Sequence, residues 1–220
     1  AASDVYKRQV LEYPNNKYSE DAMLMGAEMA YTAKDYEKAL HIYKQLKDKA
    51  ASMERRQLAK TGMLRSAHML GNEEEIIFTA TDLLADTKLA PELSNEAHYY
   101  RAKAYLDAGK TDGAMEDLKI LAKDTRNVYG AEAKYKVAQI YFDGGQTDKA
   151  EQEVLNYIEV STPHTYWLAR SFVLLADVYM KLGRNLDAKQ YLLSLKQNYQ
   201  ADDDIAGMIE SRLEKLKTEN

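Results

Sequence analysis

One spacing recurs along this chain and limits its fold more than any single residue does. The stretches AYLDAGKTDGAMEDLKIL, IYFDGGQTDKAEQEVLNYI and VYMKLGRNLDAKQYLLSLK each hold a tyrosine, a glycine four residues later and an alanine five beyond. These are Tyr105, Gly109 and Ala114, then Tyr141, Gly145 and Ala150, then Tyr179, Gly183 and Ala188. The alanines lie 36 and 38 residues apart, and Ala39 and Ile76 extend the series upstream at spacings of 37 and 38. A near-constant period of this length marks supersecondary units that repeat.

Within a unit the apolar period is helical. Ala133, Val137, Ala138, Tyr141 and Phe142 make one stripe, and Ala150, Val154, Tyr157 and Ile158 make the next. Gly145 falls between them, where a helix ends in a left-handed residue, and Thr147 reads as the N-cap of the second helix. Each unit is therefore predicted to be a helical hairpin. Ala102, Ala138 and Ala176 each precede their unit's tyrosine by three residues, small enough for paired helices to approach closely. A lone hairpin leaves one apolar face bare, so stability must come from contacts between neighbours.

This pattern resembles the tetratricopeptide repeat (TPR) family over nearly the whole chain. The resemblance rests on the small residue and tyrosine of the first helix, the glycine at the turn, and the alanine of the second helix. It departs in the early units, where Lys34 stands for the glycine, Ala30 for the tyrosine, and Leu64 and Ile76 for small residues. The resemblance implies an all-α, right-handed superhelical solenoid of about five hairpins, over 18–51, 52–90, 91–127, 128–162 and 163–201. DDDIAGMIESRLEKL (residues 202–216) then reads as a capping helix reaching into 202–220, with Ile205, Met208, Ile209, Arg212, Leu213 and Leu216 on one face.

The first residues are read separately. AASDVYKRQ resembles translated sequencing adapter and is set aside from fold reasoning, while VLEYPNNKYSEDA, with Pro14, reads as the tail of a truncated earlier repeat. Its Tyr-Pro ending is similar to TPR proteins of bacterial envelope assembly, which implies a place at the cell envelope.

Several chemistries fit poorly. AYLDAGKT (104–111) satisfies a permissive nucleotide-binding pattern, but a phosphate loop must follow a strand. HYYRAKAYLDA before it carries a helical stripe with no β-branched residue, so the motif reads as a hairpin turn and no nucleotide is expected. DAGKTDG lacks calcium-loop spacing and the final glutamate. His41, His68, His98 and His164 fall in different units, the run Glu73-Glu74-Glu75 begins a helix, and there is no cysteine. The net charge of -5 lies in short mixed runs without a basic stripe, which disfavours nucleic acid. The longest apolar run, FVLLADVYM, is too short to cross a bilayer. No catalytic residue, metal or cofactor is assigned.

What remains is a surface. The resemblance places ligand peptides on the concave face lined by first helices. Its lining positions become Leu24, Glu28 and Tyr31; Thr61, Arg65 and His68; Tyr99, Lys103 and Leu106; Tyr135, Gln139 and Phe142; and Val173, Asp177 and Met180. Tyr31, Arg65, His68, Tyr99, Lys103, Tyr135, Gln139, Phe142, Asp177 and Met180 are the candidate partner-binding residues, with an aromatic–basic group at Tyr99, Lys103, Tyr135 and Phe142. A protein or peptide partner is expected, held by a non-catalytic scaffold or adaptor. The alternative is an accessory module of a larger enzyme or sensor. The asparagines of the family's carboxylate clamp are missing, which disfavours chaperone-tail binding.

Overall fold

The computed structural model describes residues 17–218. The adapter-like segment and Pro14 lie outside them. All the described elements are α-helices: α1 (Lys17–Thr32), α2 (Tyr36–Lys49), α3 (Met53–Leu70), α4 (Glu73–Leu84), α5 (Pro91–Asp107), α6 (Thr111–Leu121), α7 (Val128–Asp143), α8 (Thr147–Ile158), α9 (Thr165–Lys181), α10 (Asn185–Asn198) and α11 (Ile205–Thr218). The chain divides into two compact units, Ala1–Ala114 and Met115–Asn220, and the division falls inside α6.

The tyrosine-to-glycine spacing has a mechanical cause. Gly109, Gly145 and Gly183 take φ of 70°, 73° and 74°, the left-handed conformation that ends a helix without steric cost to glycine. The residue after each glycine then donates its N–H to the carbonyl of the signature tyrosine: Lys110 to Tyr105 (2.7 Å), Gln146 to Tyr141 (2.8 Å) and Arg184 to Tyr179 (2.8 Å). The first hairpin makes the same closure from different residues. Lys34 sits at φ 62°, and Asp35 N–H reaches the Ala30 carbonyl at 2.9 Å. The turn geometry is thus kept where the glycine is not.

Helix starts are set by side chains that accept the first free N–H groups. Asp35 caps α2 through Lys38 N–H, Ser52 caps α3 through Arg55 N–H, and Asn72 caps α4 through Glu75 N–H. The three glutamates at 73–75 open α4, where negative charge is favoured. One expectation fails: Thr147 is the first helical residue of α8, and Gln146 holds the N-cap position. Thr147 instead turns its hydroxyl back toward the Gly145 carbonyl at 3.5 Å.

In the first unit α1, α2 and α3 share one core, made of Met23, Ala27 and Ala30 with Ala39, Ile42, Tyr43 and Leu46, then Ala59 and Met63. Leu64, the next residue of α3, belongs to a second core with Ala67, Ile76, Ala80, Leu83, Ala97 and Ala104. Adjacent residues of one helix therefore serve two successive hairpins, which is how stacking transmits stability. A buried cation ties this layer together: Lys60, 4% exposed, meets Asp82 at 2.9 Å and Asp86 at 2.7 Å, clamping α3 to α4. In the second unit the core runs from Tyr135 and Ala138 through Ala150, Val154, Leu175, Ala176, Ala188 and Leu192 to α11. The small residues at 102, 138 and 176 are fully buried, as close helix approach requires. α11 covers the last hairpin with Ile205, Ile209, Leu213 and Leu216 buried, and Met208 packs at the edge.

Candidate functional site

The hairpin repeat places every second helix on one face. In the first unit these are α1, α3 and α5, with α3 in contact with both others. Arg65 of α3 donates from Nε and Nη2 to the two carboxylate oxygens of Glu96 on α5, each at 2.7 Å. This two-pronged pair is the strong form of an ion pair, and it holds the guanidinium above its ordinary value. One turn on, the His68 ring stacks on Tyr100 with centroids 4.1 Å apart. Burial, and then the Lys103 charge, push the His68 imidazole below its usual value. Lys103 lies 5.7 Å over the Tyr99 ring. On α1, Tyr31 packs edge-on against Tyr36 at 5.2 Å.

Between these helices a cleft of about 410 Å³ opens, walled by Glu28, Tyr31, Tyr43, Thr61, Gly62 and Arg65. Gly62 is needed here. The Tyr43 ring from α2 lies so close over it that any Cβ would overlap the ring carbons. Thr61, expected on the surface, is only 8% exposed at the cleft wall, its hydroxyl donating back along its own helix to the Gln57 carbonyl at 2.8 Å.

The same positions in the second unit are filled. Tyr135 is 7% exposed, donates its hydroxyl to Gln139 Oε1 at 2.7 Å, and packs 5.7 Å from the Trp167 ring. Gln139 in turn donates to Asp143 at 2.8 Å. The Arg170 guanidinium sits 5.2, 5.7 and 6.0 Å from the Tyr135, Tyr166 and Trp167 rings. It also bonds the Tyr166 hydroxyl at 2.8 Å and Asp204 at 3.2 Å. Asp177 accepts two hydrogen bonds from Arg212 of α11, at 2.9 and 2.8 Å. Phe142 carries Lys181 over its ring at 4.9 Å, and Met180 is half-buried.

Sequence reasoning missed Glu96, Trp167, Arg170 and Tyr43. Glu96 and Arg170 each lie three residues before an assigned lining position, Tyr99 and Val173. Extending the helical face by one turn would have found both. Tyr43 comes from a second helix, so no lining pattern points to it. The AYLDAGKT stretch runs from α5 through the Gly109 turn into α6, preceded by helix, with Lys110 exposed. Among the described residues no group of three His, Asp or Glu could hold a metal, and no helix is long and apolar enough to cross a membrane.

Two tetratricopeptide repeat models match the chain, one over residues 96–124 and one over 169–197. The chain thus carries tetratricopeptide repeats within an all-α, TPR-like fold. No curated protein matches it in sequence. Among solved structures it is similar to MamA protein, at 17% identity and a TM-score of 0.62, over 81% of this chain and 90% of that one. BtubC (BKLC) from P. vanneervenii is similar at 14% identity and 0.57, over 92% of both chains. The nearly identical TPR-like repeats of a Podosopora anserina kinesin light chain follow at 18% and 0.56, over 80% and 93%. Likeness at these identities concerns the fold. Tetratricopeptide repeats in general mediate protein–protein contact.

Proposed function

We propose that the chain is a non-catalytic interaction scaffold that holds an extended peptide or a partner helix along its first-helix faces, without nucleotide, metal or nucleic acid. The observation that carries this reading is the first-unit face. Tyr31 and Arg65 line an open cleft, His68, Tyr99 and Lys103 stand on the same set of neighbouring helices, and none of the five is buried. Half-exposed tyrosines suit such a role because they offer contact area while losing little rotamer freedom. In the second unit Gln139, Phe142 and Met180 remain partly accessible, whereas Tyr135 and Asp177 already serve internal contacts.

Selection of a displayed peptide library on the immobilised chain, then titration of the recovered peptides, tests this. Tyr31→Ala and Tyr99→Ala should each weaken binding by about 1–3 kcal/mol, and Lys119→Ala on α6 should leave it unchanged. Peptides indifferent to both tyrosines but lost with Lys119→Ala would sink the reading.

A further inference from the structure

We propose that the first-unit cleft is a pocket for a basic side chain, lysine or arginine, presented by an extended peptide; this deepens the binding-face reading and rests on it. Its charge points that way. Among the described residues the Glu28 side chain makes no ion pair or hydrogen bond; its backbone carbonyl alone is engaged, by Thr32. Glu54 also borders the cleft, its carboxyl held below the usual range by hydrogen bonds from its own backbone N–H and from Ser52, with the Lys88 charge adding to the shift. Among the described residues that line it, the one cation, Arg65, is neutralised by both oxygens of Glu96. Glu28 is therefore left unpaired at the space with Glu54 on its border, and among the described lining residues no cation is free to receive an incoming acid.

A second feature is independent of the acids. Tyr43 is 6% exposed and lines the cleft, and among the described residues no side chain or backbone group bonds its hydroxyl, which is left open to the space. A hydroxyl at the wall of a cleft with no partner in the protein is available to a ligand that brings a donor. Burial first, and then the Glu28 charge, push the phenol upward, so it stays neutral and can accept from an ammonium or guanidinium. Its aromatic face and that of Tyr31 also favour a cation. Leu58, 41% exposed, and Leu93 border the same space and suit the methylene stem of lysine or arginine. A volume of about 410 Å³ takes one long side chain, not a helix.

The test uses the full chain, isotope-labelled, with backbone amide shifts followed by NMR. The probes are Nα-acetyl-arginine amide, its neutral isostere Nα-acetyl-citrulline amide, and Nα-acetyl-glutamate amide. Arginine amide should move the Gly62 and Arg65 amides saturably and at lower concentration than citrulline amide, with glutamate amide weakest. Glu28→Gln should raise the half-saturating concentration roughly three- to tenfold, the size of one half-exposed ion pair. Gly62→Ala, which drives the Tyr43 ring out of place, should abolish the response. If that variant does not fold, Tyr43→Phe should still weaken arginine binding. Citrulline or glutamate binding as tightly as arginine, no shift at Gly62, or no effect of Glu28→Gln would each overturn the proposal. The binding-face reading would survive any of these, since it stands on the tyrosine dependence of the selected peptides.

Discussion

The two units share a repeat and differ in what they do with its inner face. In the second, the signature is closely followed, and the face is closed by its own side chains: Trp167 and Arg170 cover Tyr135, and Arg212 of the final helix occupies Asp177. In the first, the signature is broken at Ala30 and Lys34 of the opening hairpin, although Tyr105, Gly109 and Ala114 keep it, and beside that hairpin the face opens into a cleft floored by Tyr43 on Gly62. Positions that keep the repeat build the scaffold. The departures at Ala30 and Lys34 go with open space.

The largest effect that could break this comparison comes from the closed unit. Ala138 is 1% exposed within the core that joins α7 to α9. Ala138→Glu would bury a charge and overfill a close contact, and should cost about 3–4 kcal/mol in urea unfolding. Near-wild-type stability would mean that the small-residue positions do not govern stacking.

A smaller, reciprocal pair sharpens the contrast at the turns. Lys34 and Gly145 adopt the same left-handed conformation, at φ 62° and 73°. Lys34→Gly should raise stability by about 0.5–1 kcal/mol, and Gly145→Lys should lower it by about 1 kcal/mol. Thermal unfolding of both variants reads the difference. Opposite signs support a purely local turn cost, and equal signs would show that Lys34 contributes something that glycine cannot.

Much of the scaffold was legible because its causes are local. The spacing of tyrosine and glycine encodes one hydrogen bond across a left-handed turn, and the small residues at 102, 138 and 176 encode helix approach. The capping helix was legible from the face shared by Ile205, Ile209, Leu213 and Leu216. The site was less so. Lining positions can be carried along a helix, but whether a side chain there is free depends on partners from elsewhere. Nothing in the sequence around Asp177 announces Arg212, 35 residues away. Tyr43 lies on a second helix and reaches the face only because Gly62 lacks a side chain. Thr147 was misread for a related reason, since the preceding Gly145 turn already puts the N-cap at Gln146.

The central claim is that recognition uses the open first-unit face. Hydrogen exchange of the full chain, with and without a selected peptide, measures this directly. Binding should slow exchange in 53–70 and 91–107, the helices carrying Arg65, His68, Tyr99 and Lys103, while 205–218 stays unchanged. Protection confined to 165–198 and 205–218, with the first unit unaffected, would contradict the account.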